Sequence, residues 1–435
     1  YDIKRFQKFH SNIDFIKERI TETLGDLYGM HWPYKQHKTS RNIKILPYHD
    51  SLKNNGACFG ESGGYERPMW YALKNNKPEY AYSYNYQNWY PSAEYESKNT
   101  RKNVGLFELT PFSKFEMIGS NAHLELQRIC TANIKNEIGK TTYTQMLNED
   151  AGIEADLTIV CLAENHFRII SSAITREHDK HHILKNLKES LEFKDVTDDY
   201  ACLGLFGPKS RDLMSDIFGN YFENSKYLFG TGKQFTIDGI NIWSQRLSYV
   251  GELGWELYIP INKSKIIYEK IIKYGKKYNL CHAGAHTMDI LRMEKGYLHW
   301  GHDMSPEENQ YEAGLQFAIS YKKNIDFIGK KSLLAINKDK IKKKLLMFSL
   351  KESKPGNPLL LHDEPIIYKN KVVGRTTSGN FSFNYNKNLV FGYVDIEKID
   401  FSDVNSFEIE VEKNKYQAFL EKEILFDKNS IYLKS

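Results

Sequence analysis

The chain has 435 residues, of which 41% are hydrophobic and 26% charged, with 60 basic against 55 acidic side chains and a formal net charge of +5. That length suggests two to four domains with cores large enough to fold without disulfides or metals. The charges are well mixed, so nothing points to nucleic acid, and no apolar run is long enough to span a bilayer. Five isolated cysteines (Cys58, Cys130, Cys161, Cys202, Cys281) suggest neither a disulfide framework nor a zinc ribbon and fit a reducing, cytoplasmic setting. The first residue is Tyr1 and no signal-peptide hydrophobic region follows, as expected of a piece of a longer protein.

In chain order, residues 4–22 predict an amphipathic helix with Phe6, Phe9, Ile13, Phe15, Ile16 and Ile20 near one face. The stretch to about residue 100 is rich in aromatics and glycine and reads as a loop-rich segment wrapping a neighbouring body. From residue 104, strand-like VGLFEL, FSKFEMIG, LTIVCLA and HFRIISSA alternate with helix-like runs near 122–130, 178–192 and 208–217. CLGLFGPKSRDLM reads as strand, Gly-Pro turn and helix; INIWSQRLSYVGELGWELYIP as two strands around Gly251 and Gly254; SKIIYEKIIKYGKKY as a helix. This mixed order predicts an α+β fold without the strict rhythm of a doubly wound sheet. A charged linker follows at 337–345, and from 345 onward period-two alternation predicts an all-β C-terminal domain, a small barrel.

Several motifs dissolve on inspection. Gly60-Glu61-Ser62-Gly63-Gly64 matches G-x-S-x-G, but Pro68 opposes the helix that a nucleophile elbow requires, and Gly63-Gly64 reads as a turn. Gly139-Lys140-Thr141 lacks the earlier glycine of a phosphate loop, where Ile134 stands. No G-x-G-x-x-G occurs, so no flavin or nicotinamide fold is read from this chain. His178, His181 and His182 read as a solvated charged helix face, and His299, His302 and Asp303 in HWGHD read as structural hydrogen bonding around a buried Trp300; no metal site is expected. In YTQMLNEDAGIEADLTIV, Asp156 sits between a glycine turn and a strand. A carboxylate there can accept a proton or hold a cationic centre in a pocket, or it can cap the turn; the residues alone support both.

AGIEADLTIV resembles the G-G-I-x-x-D-L segment of the glycine cleavage T-protein, the aminomethyltransferase. VGLFELTPFSKFEMIG, CLGLFGPKSRDLM, RLSYVGELGWELYIP, LRMEKGYLHWGHDM, EAGLQFAI and GRTTSGNFSFNYNKNLVFGYVD continue the resemblance in the same order, over about residues 100–425. Upstream, MHWP, ACFGESGGYERPMWY and YQNWYPSAEYE resemble the two-part dimethylglycine and sarcosine dehydrogenases, in which a flavin domain precedes a T-protein-like half. The resemblance implies a connecting segment over 1–100, left from the link to an FAD oxidoreductase domain, a T-protein-like folate-binding domain over 101–336, and a C-terminal β-barrel over 337–435. Asp156 falls on the family's catalytic aspartate and Glu252 on a glutamate that recognises the pterin ring, with Tyr249 lining the same pocket. Phe112 stands where the T-protein has a methionine near the pterin, and Ser172 where it has an asparagine. Arg292, Trp300 and Arg375 also fall in family blocks.

These residue types suit a folate. A pterin is flat and polar-edged, and needs a carboxylate for its N–H groups and aromatic walls for its faces. The implied function is tetrahydrofolate-dependent capture of the methyl carbon of an N-methyl amino acid, dimethylglycine or sarcosine, forming 5,10-methylenetetrahydrofolate. FAD would be carried by an upstream domain or a partner chain. The alternatives are a stand-alone folate-dependent methyltransferase such as a dimethylsulfoniopropionate demethylase, and a non-catalytic folate-binding module.

Overall fold

The computed structural model describes residues 6–74, 76–219, 221–337 and 341–435; residues 4 and 5 of the predicted helix and 338–340 of the predicted linker lie outside the described residues. Three β layers carry separate cores. A six-stranded sheet runs in the order Gly232–Ile237, Ile240–Gln245, Gly254–Pro260, Tyr200–Phe206, Val104–Glu108, Leu280–Ala283, with only the last pair parallel. A five-stranded antiparallel sheet follows the order Thr141–Leu147, Ile153–Ala163, His166–Ser171, Ser113–Ile118, Glu192–Asp195. The last part closes into the expected barrel of six antiparallel strands, from Lys343–Leu350 to Asn414–Glu421. The α+β reading and the C-terminal barrel hold.

The five-stranded sheet shows why an open face exists. Strand Ile153–Ala163 buries Ala155, Leu157 and Ile159 against helix Ala122–Ile129 and Ile183. Period-two alternation puts Glu154, Asp156 and Thr158, all half-buried, on the opposite face. That face turns toward the six-stranded sheet, where partly buried Ile170 packs with Phe112 and Tyr249. Phe112 lies on the short link 109–112 between strands of the two sheets, and so at their seam.

The first hundred residues contain more regular structure than their composition suggests. Ala57–Ser62 and Tyr65–Tyr71 pair as a hairpin whose turn, Gly63-Gly64, has φ of +60° and +86°. Two positive-φ residues in a two-residue hairpin loop call for glycine, which accounts for the G-x-S-x-G match without any catalysis. Tyr48, Leu52, Tyr65 and Tyr71 join the core of the six-stranded sheet, and helix Tyr90–Lys102 packs beside it. The predicted N-terminal helix is Ile13–Asp26, preceded by a short 3-10 turn and capped by Asn12. Its apolar stripe is not the docking face: only Phe15 is buried, while Ile13 and Ile20 remain 73% and 51% exposed. Polar contacts attach it, with Glu22 accepting from the backbone of Lys38 and Thr39 and Arg19 bonding Glu61.

All five cysteines are unpaired and buried, and burial pushes each thiol up. Among the described residues no helix is long and apolar enough to cross a membrane.

Candidate active site

Asp156 is placed by a hairpin. Strands Thr141–Leu147 and Ile153–Ala163 are joined by a turn in which the Asn148 side chain accepts from the backbone of Asp150 and Gly152 at 3.0 and 2.8 Å. The resulting register sets Gln145 directly opposite Asp156. Gln145 Nε2 donates to Asp156 Oδ1 at 2.7 Å, and Gln145 Oε1 accepts from Gln310 Nε2 at 2.5 Å. Both glutamines are fully buried. The aspartate is therefore held by a relay of amides, so the turn-capping reading fails: Asn148 caps the turn.

Burial pushes the Asp156 carboxyl up to about 6, against the opposing hydrogen bonds of Gln145 and Tyr143, with the charge of Asp179 adding to the rise. Tyr143, two residues from Gln145 on the same face, keeps 37% of its surface open. Asp156 is thus largely enclosed by protein, the environment that tunes a carboxyl toward neutral pH.

Four further residues from the sequence reading surround this face. Ser172 immediately follows strand His166–Ser171, whose Ile170 pairs with Thr158 on the Asp156 strand. Phe112 and Tyr249 form apolar walls with Ile170. The Tyr249 hydroxyl donates to the Leu298 carbonyl at 2.6 Å, which fixes the ring. Trp300 is half-buried, and its Nε1 donates to the Ile153 carbonyl at 3.0 Å, beside the start of the Asp156 strand. His178 corrects the solvated-face expectation. Its ring lies 5.8 Å from Trp300, with Asp179 at 3.0 Å and Glu154 at 3.1 Å, and these two carboxylates push the imidazole up to about 10. Its helix turns toward the sheet, because Asp179 is buried beneath it.

Arg292, Glu252 and Arg375 are engaged by other protein groups. Arg292 is buried and fully engaged, donating to Asp289, the Tyr297 carbonyl, Asp303 and Ser378 at 2.6 to 3.0 Å. Asp303 of HWGHD also accepts from the backbone of His299 and from Thr377 and Ser378, so the motif makes structural hydrogen bonds. They centre on Asp303 and clamp the barrel to the body rather than surrounding a buried Trp300; that residue is half-buried. Arg375 sits at the surface, paired with Asp363 at 3.0 Å. Glu252 is buried beneath the loop that carries Tyr249, 3.3 Å from Arg101, which also binds Glu294 and the Val250 carbonyl. Burial raises the Glu252 carboxyl to about 7, with Arg101 opposing.

The sequence reading missed Gln145, Tyr143 and Arg67. Gln145 and Tyr143 could have been found by folding YTQML back on IEADL with alternate residues facing one way. Arg67 carries no local signal. A groove of about 550 Å³ lined by Ile138, Leu228, Lys233 and Trp243 contains none of the expected site residues. Among the described residues no three His, Cys, Asp or Glu side chains group as metal ligands.

An α+β body whose two sheets enclose a carboxylate and aromatic walls, closed by a six-stranded barrel, is the architecture of an aminomethyltransferase. The GCVT N-terminal domain family matches residues 48–323, and the glycine cleavage T-protein C-terminal barrel domain matches 343–427. The chain belongs to the glycine cleavage T-protein family. Residues 1–45 match the FAD dependent oxidoreductase central domain. The chain is 35% identical to 4-methylaminobutanoate oxidase (formaldehyde-forming) of Paenarthrobacter nicotinovorans over 98% of its length and 51% of that protein's. It is 31% identical to mitochondrial dimethylglycine dehydrogenase of Mus musculus, over 91% of its length and 45% of that protein's. It therefore spans about half the length of these curated relatives. The aminomethyltransferase T structure from Bartonella henselae superposes with a TM-score of 0.75 at 22% identity, covering 89% of this chain and 99% of that one, which shows the shared fold.

Proposed function

We propose that this chain is the folate half of a demethylating flavoprotein: it holds tetrahydrofolate over the open face of the five-stranded sheet while the methyl carbon of an N-methyl amino acid is captured as 5,10-methylenetetrahydrofolate. The observation that carries this is Asp156, oriented by Gln145 on the strand face nearest Phe112 and Tyr249, with its carboxyl raised to about 6. The residues suit the ligand, since Phe112 and Tyr249 offer apolar faces to a flat ring and the open polar strand face offers hydrogen bonds to its edge. When bound, tetrahydrofolate supplies the two nitrogens that take up the carbon. Asp156 accepts the proton that the reacting amine loses, a task suited to a carboxyl tuned toward neutral pH. The upstream match to an FAD oxidoreductase and the relatives named as N-methyl amine oxidases and dehydrogenases support amine oxidation on an FAD-bearing body outside this chain, with dimethylglycine, sarcosine or 4-methylaminobutanoate as substrate.

The test is direct. The purified chain should bind tetrahydrofolate saturably in a calorimetric titration and show no flavin band in its visible spectrum. A stoichiometric flavin, or no folate binding, would reject the proposal.

Glu252 is assigned a positioning role: with Arg101 it fixes the loop that carries Tyr249. Glu252→Gln weakens that ion pair and should lower the melting temperature while leaving folate affinity nearly unchanged. A loss of about 1.5–3 kcal/mol of binding energy at unchanged stability would instead show a direct charge-assisted contact with the pterin.

A further inference from the structure

Arg67 lies on strand Tyr65–Tyr71, opposite Gly60 in the hairpin. Its guanidinium carbon is 5.7 Å from the centre of the Phe112 ring. It forms no ion pair, and its Nε is buried without a hydrogen-bond partner. Its two terminal nitrogens also have no partner among the described residues, and they are not sealed from solvent. Arg19, Arg128, Arg168 and Arg246 also leave one buried nitrogen unpaired, but each makes hydrogen bonds through its other nitrogens, whereas among the described residues Arg67 makes none. Glu108 and Asp289 lie within electrostatic range of Arg67, but their hydrogen bonds go to Tyr48 and Thr110 and to Arg292 and Asn380. Burial depresses the Arg67 guanidinium to about 10, which leaves it charged at neutral pH.

A half-buried charged guanidinium with a sealed, unpaired Nε is costly, and interiors keep such groups mainly where something partners them. The planar fork matches a carboxylate, which it can hold through two parallel hydrogen bonds. The Phe112 ring that Arg67 approaches packs on the same cluster as Ile170, which pairs with Thr158 on the Asp156 strand, so Arg67 lies toward the face that carries Asp156. We infer that Arg67 is the carboxylate anchor of this face, binding the acid group of the N-methyl amino acid or its demethylated product so that the amine end points toward Asp156. This rests on the proposed function for the second ligand, the folate, but the charge requirement at Arg67 can be measured without it.

The experiment titrates the chain, with and without saturating tetrahydrofolate, with sarcosine, dimethylglycine and 4-methylaminobutanoate and with their neutral carboxamides. At least one acid should bind, about tenfold or more tightly than its amide. Arg67→Met should abolish that difference with tetrahydrofolate affinity unchanged, and Arg67→Lys should restore part of it. Three results overturn the inference: no acid binds, acid and amide bind alike to the unaltered chain, or Arg67→Met weakens tetrahydrofolate and spares the acid. If Arg67→Met fails to fold, the acid–amide comparison on the unaltered chain still decides. Failure of the unaltered chain to bind tetrahydrofolate would sink the folate reading separately, because the acid–amide preference is also read without folate.

Discussion

Asp156→Ala is expected to leave the fold and most of the folate affinity intact and to slow methylenetetrahydrofolate formation about a hundredfold to ten-thousandfold, the usual cost of removing a positioned general base. The assay needs the flavin-bearing partner to generate the one-carbon unit, and a formaldehyde trap to suppress spontaneous condensation with free folate. The unaltered chain should show a rate that rises with pH through about 6, because the carboxyl raised to that value acts only when unprotonated. The same shift has a stability consequence of opposite sense. The folded state holds this proton more tightly than the unfolded chain, so the contribution of Asp156 to stability is fully present below the ordinary carboxylate range and is lost as pH rises through about 6. Asp156→Asn should remove both the kinetic limb and this slope. A full rate in the trapped assay would reduce Asp156 to a structural residue and favour a non-catalytic folate-binding module. Loss of folate affinity on the scale of a deleted charged contact would make it a binding residue.

The largest stability effect is expected at Asp303. This carboxylate accepts from Arg292, Thr377 and Ser378 and from the backbone of His299, at 2.6 to 3.0 Å, and is fully buried. Asp303→Ala leaves Arg292 with Asp289 as its remaining carboxylate and strands the Thr377 and Ser378 hydroxyls, and should cost about 3–5 kcal/mol, measured by denaturant unfolding. Asp303→Asn should cost less, because its carbonyl oxygen can still accept from the two hydroxyls. Equal losses for both variants would show that charge is the whole of the contribution, and a loss under about 1 kcal/mol would show that the clamp does not hold the barrel.

Much of the fold was legible where one period dominates. LTIVCLA and FEIEV alternate at period two and are strands, and SKIIYEKIIKYG keeps spacings of three and four and is a helix. The N-terminal helix was legible in its existence and misleading in its face, because Glu18, Arg19 and Glu22 make its attachments. In the site, Asp156 stood out through its family segment. Glu252 did too, but its pairing with Arg101 spans 151 positions, and no local pattern encodes such a meeting. Arg67 was invisible for the converse reason: its significance lies in the lack of a partner, which only packing reveals.

The buried cysteines bear on the proposed chemistry in another way. Thiolates attack aldehydic carbon, so under the proposed function each turnover would expose the chain's own side chains to modification. Reactivity follows the thiolate, and here Cys58, Cys130 and Cys281 are pushed up to about 12 by burial, with Cys161 and Cys202 also raised. At neutral pH these sulfurs are protonated and shielded, which would let the chain carry out the proposed chemistry without consuming its own thiols.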